Sequence, residues 1–554
     1  MQIENSPYSS TLPLPTSPTP PQYLSGAITM IPHLLLLVSD WNPQFFRELK
    51  GRLKPRNIAL TIATSLLVQS AILLYLWAVL PSPTSTYSRY CTSKTDYLLS
   101  DCVLDATGNP IINWQIWWSD LFQSLSWLLP FVLLIGGVYL LIGDLAKEER
   151  RGTLNFIRLS PRSSQSILIG KLLGVPLIPF LAVVLAIPLH LWSAAQAGIS
   201  AEEVVSIYLV TGAACCFFYS GSIFYAFLGG AQNWLGAAAV WFSYTIFFQL
   251  WQIYQHDSSY YLGLKQWYNL PIGESLSFAV AFAVMNFGIG TFWIWRAINR
   301  RFRNPNQTLI SKRQSYAMTL CFELLMFGFV FREHHRWDHP IYDLMTMIAF
   351  NLVWFLVLIA ALTPHRQTLL DWARYRRDGG AAKAKRVWRR SMLRDLVWGE
   401  KSPAIGAIAL NLFIPVAVFT PWILIWEGAD QQIRGFLGLL FCMLFLLICA
   451  AIAQSILFMK FQKRAIAAVG VVGALMILPA IAMLTLGVHP DHNPAAWLLS
   501  AFAFVAMEFA SAPAIAFSFL AHLAIFSLFT LRLTRQLRRA GESELKALMA
   551  HRTL

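Results

Sequence analysis

Apolar runs about as long as a bilayer is thick recur from one end of this chain to the other, and they leave room for only one architecture. They lie at 57–80, 124–145, 172–194, 204–228, 234–252, 275–297, 316–331, 341–363, 403–426, 433–458, 465–487 and 512–533. A helix needs about 20 apolar residues to cross ~30 Å of hydrocarbon. Charged residues make up only 13% of the chain, against roughly 25% in soluble proteins. The expected fold is an all-α polytopic membrane protein of twelve transmembrane helices, arranged as two six-helix halves.

The formal charge of +15 points to a membrane surface rather than to nucleic acid, because Lys and Arg gather in cytoplasmic loops and set orientation. Basic groups cluster at 47–56, 147–171, 296–313, 366–401, 460–464 and 532–539. With twelve crossings, all of these fall on the cytoplasmic side, together with both termini. The weakest span is 316–331, short and carrying Glu323. Without it, 365–401, with eleven Lys/Arg against four acids, would face outward and break the charge rule.

Residues 1–25 are rich in Pro, Ser and Thr, a composition that cannot bury a core and reads as a disordered leader. Residues 26–56 carry two interfacial elements. The second opens with Asn42 as a helix cap and Pro43 in the first turn. Phe45, Phe46, Leu49 and Leu53 then share one face, and Arg47, Lys50, Arg52 and Lys54 occupy the rest. Such a basic amphipathic helix lies flat on an anionic membrane.

Residues that could carry chemistry are few. No G-x-x-x-x-G-K-[ST], CxxC, HExxH or G-x-S-x-G is present, so no phosphate-cradling loop is expected in this chain. His334, His335, Asp338 and His339 could collect a metal or form a solvated loop, and the interspersed Arg332 and Arg336 favour the loop. Glu323 and Glu508 are costly in lipid and should face a cavity or a partner. Gln69, His190, Gln249, Asn286 and Asn351 read as interhelical hydrogen bonders. Cys91 and Cys102 share a polar loop and could pair if it faces an oxidising compartment. Cys215, Cys216, Cys321, Cys442 and Cys449 lie in apolar runs as small hydrophobes. Trp114, Trp117 and Trp118 read as an interfacial belt, and 495–511 as a re-entrant segment or helix extension.

The most informative stretch is 144–171. Asp144, Glu148 and Glu149 alternate with Lys147, Arg150 and Arg151, and Gly152-Thr153 interrupts the helix. Thr153 can cap a short helix, Leu154–Leu159, which Ser160-Pro161 ends because the residue before proline avoids the helical region. Ser163 or Ser164 can cap the next helix, running through Gly170-Lys171 into the membrane.

The order Glu148-Glu149-x-x-Gly152-Thr153-Leu154, then Ser160-Pro161, then Gly170-Lys171-Leu172-Leu173 resembles the cytoplasmic motif of ATP-binding-cassette exporter permeases of the type-2 class. The resemblance covers about residues 40–300. It implies an elbow helix, matched by Pro43–Leu53, a permease-like domain over 57–300, and a re-entrant hairpin near Tyr254–Glu274. It further implies that Glu148, Glu149, Gly152, Thr153, Leu154, Ser160 and Pro161 lie at or near a docking surface for a separate ATPase subunit. ATP and Mg would then be bound by that partner, with no cofactor and no metal in this chain. Membrane lipids, and a homodimer or hetero-oligomer, complete the expected partners, in the plasma (inner) membrane.

Residues 301–554 form a second expected domain, with a basic cytoplasmic segment at 364–402 that does not reproduce the motif. This half is either a diverged permease half or an appended membrane domain. Two further readings stand beside the exporter. An ion-coupled transporter would depend on Glu323 or Glu508. An intramembrane enzyme acting on lipid or polyisoprenoid would use His334, His339, Glu323 or Asp338.

Overall fold

The computed structural model describes residues 40–82, 88–92, 102–153, 158–228, 230–255, 266–304, 307–331, 340–378 and 385–540. Among them the fold is all-helical, with no more extended structure than isolated β-bridges. A short helix α1 (Pro43–Arg52) precedes α2 (Pro55–Ala78) and the long α3 (Trp114–Arg150), which contains one π turn at Val132–Gly136. Then follow α4 (Ser164–Gly174), α5 (Leu177–Ala197), α6 (Ala201–Phe227), α7 (Asn233–Gln255) and α8 (Leu276–Arg303). The later part comprises α9 (Lys312–Val330), α10 (Pro340–Leu362), α11 (Arg366–Asp378), α12 (Lys385–Trp398) and α13 (Ile405–Ile423). The chain closes with α14 (Ala429–Leu457), α15 (Arg464–Thr485) and α16 (Ala512–Ala540). Ten of these helices are long and apolar enough to cross a membrane, namely α2, α3, α5, α6, α8, α10 and α13 to α16. The protein is a polytopic membrane protein.

Local chemistry explains several boundaries. The Asn113 side chain accepts the Ile116 N–H at 3.3 Å, so α3 begins at Trp114 and not at 124. The expected tryptophan belt therefore forms its first turns. Trp117 is buried and donates its indole N–H to the Leu76 carbonyl at 3.0 Å, whereas Trp114 is exposed. Pro130 lacks the N–H that would bond the fourth carbonyl back, and the π turn follows it directly. The Tyr219 and Tyr244 hydroxyls donate to the carbonyls of Leu133 and Trp127 there, each at 2.7 Å. The span expected at 172–194 is two helices, because Val175-Pro176 breaks the run between α4 and α5. Gly198, at φ +71°, ends α5 in the left-handed region that glycine tolerates.

Two apolar cores result. The first gathers Leu141, Ile142, Tyr219, Ile223, Ile298 and Phe302 from α3, α6 and α8. The second surrounds α14, whose Leu446, Cys449 and Ala450 belong to one cluster with Phe355 of α10 and Ile408 of α13. Of the predicted polar residues, His190 and Asn351 tie helices together, Gln69 and Asn286 bond within their own helices, and the Gln249 side chain lies outside the described residues. His190 of α5 is hydrogen-bonded to Ser126 of α3 and Tyr208 of α6, at 2.9 and 2.8 Å. In the second core, Asn411 donates to Ser315 and accepts from Thr319, at 2.9 and 2.8 Å.

Contacts join the basic segments into one end of the bundle. Arg52 pairs with Asp144, Ser164 bonds Asn299, Arg300 pairs with Glu400, the Leu309 N–H meets the Ala361 carbonyl, and Arg366 donates to the Phe458 carbonyl. At the opposite end, the expected re-entrant hairpin is a tight turn among its described residues. Trp267 and Leu270 bridge around Tyr268 and Asn269, and both tyrosine and tryptophan side chains reach α9 carbonyls. Residues 495–511 form two single turns, Pro494–Trp497 and Ala503–Ala506, whose buried Trp497, Leu498 and Met507 join a cluster with Phe441. Arg434 donates to the carbonyls of Met507, Glu508 and Ala510.

On the basic end of the second unit, the Lys312 ammonium donates to the Leu396 carbonyl, the Ser402 hydroxyl and the Pro403 carbonyl at 2.7, 2.7 and 3.1 Å. Tyr316 adds a bond to the Val397 carbonyl at 2.6 Å. Burial pushes the Lys312 pKa down to about 8 from 10.5, and Asp395 and Glu400 offset only part of this. Between those two values the unfolded chain holds the proton and the folded chain releases it, so stability rises with pH. Thermal unfolding in detergent should show this rise between pH 8 and 10 in the wild type, and its loss in Lys312→Met.

Candidate functional site

The site lies where α1, the end of α3 and α4 meet. Asn42 caps α1 by accepting the Phe45 N–H at 3.0 Å, and its amide donates to the Ser166 carbonyl of α4 at 2.7 Å. The two helices approach closely because α4 presents Gly170 and Gly174 to α1. A Cβ on Gly170 would lie 2.6 Å from Asn42 Oδ1 and 2.8 Å from the Phe45 nitrogen, and one on Gly174 would lie 2.6 Å from Glu48 Cβ. Small residues four apart permit this kind of backbone contact.

Inside the contact sits Lys171, 1% exposed in its side chain. It pairs with Asp144 at 2.7 Å, Glu148 at 2.9 Å and Glu48 at 3.5 Å. Arg47 joins Glu148 at 2.8 Å, and Arg52 joins Asp144 at 2.8 Å and Glu48 at 3.2 Å. Three acids and three bases thus close a balanced network across three helices. Burial alone would lower the Lys171 pKa, but Asp144, Glu148 and Glu48 outweigh it and hold the value above 10.5. Glu48, Asp144 and Glu148 are close enough together to hold a metal ion, yet the lysine ammonium already supplies the cation.

A second contact fixes the other side of the charged segment. The Arg158 guanidinium lies over the rings of Phe227 and Phe302, 5.8 Å from each. Burial lowers the pKa of Arg158 and of Arg301 beside it, and Glu149 acts on both in the opposite direction. The segment is therefore clamped to α1 and α4 by one network and to α6 and α8 by the other.

The expected interface residues divide between the inside and the surface. Glu148 is an internal partner of Lys171, largely covered. Glu149, Gly152, Thr153 and Pro161 are exposed, as is Leu159 at 84%, and Ser160 is half-buried. Leu154 lies outside the described residues. Thr153 is helical and donates its hydroxyl to the Glu148 carbonyl at 3.2 Å. Gly152 takes φ +72° to end α3, its N–H bonded to the Glu149 carbonyl at 3.0 Å.

The elbow residues Phe45, Phe46, Leu49 and Leu53 are half-buried, while the residue α1 buries is Glu48. Glu48 and Asp144 were not singled out as site residues by the sequence pattern. The available signal was one acid on an otherwise basic helix. Cys91 and Cys102 are joined in a disulfide. Glu323 is fully buried and accepts from Asn351 at 3.2 Å, while its Oε1 has no hydrogen-bond partner. Glu508 is exposed. The His334–His339 cluster lies outside the described residues.

No protein-family model, curated protein or solved structure matches this chain.

Removing the central cation takes the buried partner from three carboxylates and leaves them only Arg47 and Arg52, and a buried pair losing one partner costs about 3–5 kcal/mol. Lys171→Met should therefore lower the unfolding midpoint clearly, whereas Lys147→Met, at an exposed position of the same segment, should leave it nearly unchanged. Because the folded lysine pKa is raised, the wild-type contribution is complete below about 10.5 and fades only above it. Equal midpoints for the two variants at pH 7.5 would refute the network's role.

Proposed function

We propose that the chain is the membrane-spanning permease of an ATP-driven exporter of the ATP-binding-cassette type-2 class. In this reading it crosses the inner (plasma) membrane twelve times, α7 and α9 adding to the ten apolar helices, with both termini cytoplasmic. A separate ATPase subunit binds ATP and Mg and docks on the basic end.

The observation that carries this reading is the double clamp on 144–171. A segment held by Lys171 on one side and by Arg158 on the other moves with α1, α3, α4 and α8 together. A partner pushing on Glu149, Gly152, Thr153 and Leu159 would displace those elements as a body, which is how a packed interface converts a local contact into a domain shift. Exposed Leu159, with Arg158 and Arg162 close in sequence, suits the centre of such a contact, since binding energy concentrates in a few desolvated anchors. The second unit supports the reading by its layout. Its segment between α10 and α13 is likewise held by a lysine, Lys312, so residues 301–554 serve as a second permease half.

A second reading, ion-coupled transport, draws on Glu323 with its unpartnered Oε1. Buried acids in membrane helices commonly mark proton or ion sites.

Purification in mild detergent should bring down an ATPase with the wild-type chain. Glu149→Arg reverses the surface charge, and Gly152→Pro cannot adopt the left-handed backbone found there. Both should lose that ATPase, Glu149→Arg with its unfolding midpoint kept and Gly152→Pro with a lowered one, since it also breaks the bond to the Glu149 carbonyl. Unchanged co-purification and transport in both would sink the exporter reading. Glu323→Gln would then be decisive for the other, which requires it to abolish transport.

A further inference from the structure

At the basic end of the second unit, an apolar cleft opens between α15 and the pair α14–α16. Its volume is about 580 Å³, within the roughly 300–1,000 Å³ of sites that hold small organic ligands. Ile452 of α14, Met459 in the turn after it, Leu475 and Pro479 of α15 and Phe529 of α16 line it. The lining hydroxyl of Ser455 is already committed to the Ala451 carbonyl at 2.7 Å. The wall therefore offers a ligand no polar partner except at one place, where Arg532 stands.

Arg532 is exposed, and no hydrogen bond or ion pair engages it among the described residues. Lys460 and Lys463 are also exposed, in the turn joining α14 to α15 at the same end. Of α15, only Ala468 and Val472 are buried, so most of its surface faces the bilayer. A cleft of this kind within hydrocarbon fills with a lipid chain, since water would find nothing to bond. The guanidinium at its polar end selects the headgroup. Basic pockets between membrane helices take acidic lipids, and each cation near the surface contributes a modest, separable share of the attraction.

We propose that this cleft is a binding site for one acidic phospholipid of the membrane, its acyl chain between α15 and α14–α16 and its phosphate on Arg532. This site is independent of the exporter reading. The occupant is a resident lipid, held by shape in the hydrocarbon layer and by charge at the interface.

The test is native mass spectrometry of the full chain, reconstituted in vesicles of equal phosphatidylglycerol and phosphatidylcholine and released into detergent. The wild type should retain one phosphatidylglycerol in preference to phosphatidylcholine. Arg532→Ala should weaken that retention about fivefold, and Arg532→Lys should restore most of it. Ala474→Trp, which fills the cleft wall, should lose both lipids, with unfolding midpoints confirming that each variant is folded. Equal retention of the two lipids by the wild type would overturn the proposal. So would unchanged retention in Arg532→Ala, or in a folded Ala474→Trp.

Discussion

A lysine almost without solvent contact, held among three carboxylates from two other helices, is the constraint on which the basic end of the first unit depends. An ammonium in that position is tolerable only while its partners stay in place. Moving α1 or the last turn of α3 away from α4 would strand at least one charge in a poorly solvated pocket. The network therefore resists partial opening more than an apolar contact of similar size would. That stiffness follows from electrostatics, and it is what permits a surface helix of ten residues to act as part of the membrane domain.

Steric fit makes the electrostatics possible. Gly170 and Gly174 let the α1 backbone come close enough for Glu48 to reach Lys171, and Asn42 serves both helices with one amide group. Elsewhere the same economy recurs. Tyr219 packs against Gly137 while bonding the carbonyl at the adjoining π turn. In the second unit Lys312 fastens the connection before α13 with backbone carbonyls and a serine, where the first unit uses carboxylates. The two lysines are consequently opposite in character: charge partners hold the pKa of Lys171 up, and burial brings that of Lys312 down.

Much of the architecture was legible because its signals are long and repetitive. Apolar runs of membrane length locate most helices within a few residues, and Asn42-Pro43 and Ser163 mark starts that the structure caps as chain chemistry dictates. What sequence periodicity missed were tertiary choices. Asn113 and the packing of Trp117 against Leu76 extended α3 backward past the apolar run. Apolar spacing on α1 pointed to Phe45 and Leu49, but the buried residue is Glu48, because its partner Lys171 comes from a position 123 residues away. Glu148 looked like a surface charge for the same reason. A carboxylate's neighbours are set by the fold, and its place in a charged stretch does not reveal whether it faces water or lysine.

If the lysine network acts as described, α1, the end of α3 and α4 behave as one mechanical unit. Amide hydrogen exchange on the reconstituted wild-type chain measures this directly, because cooperative units open with a shared free energy. Amides of α1 should exchange with the protection of those at 144–150 and in α4, and all three should lose it together. Rapid, independent exchange of α1 beside a protected α4 would contradict it.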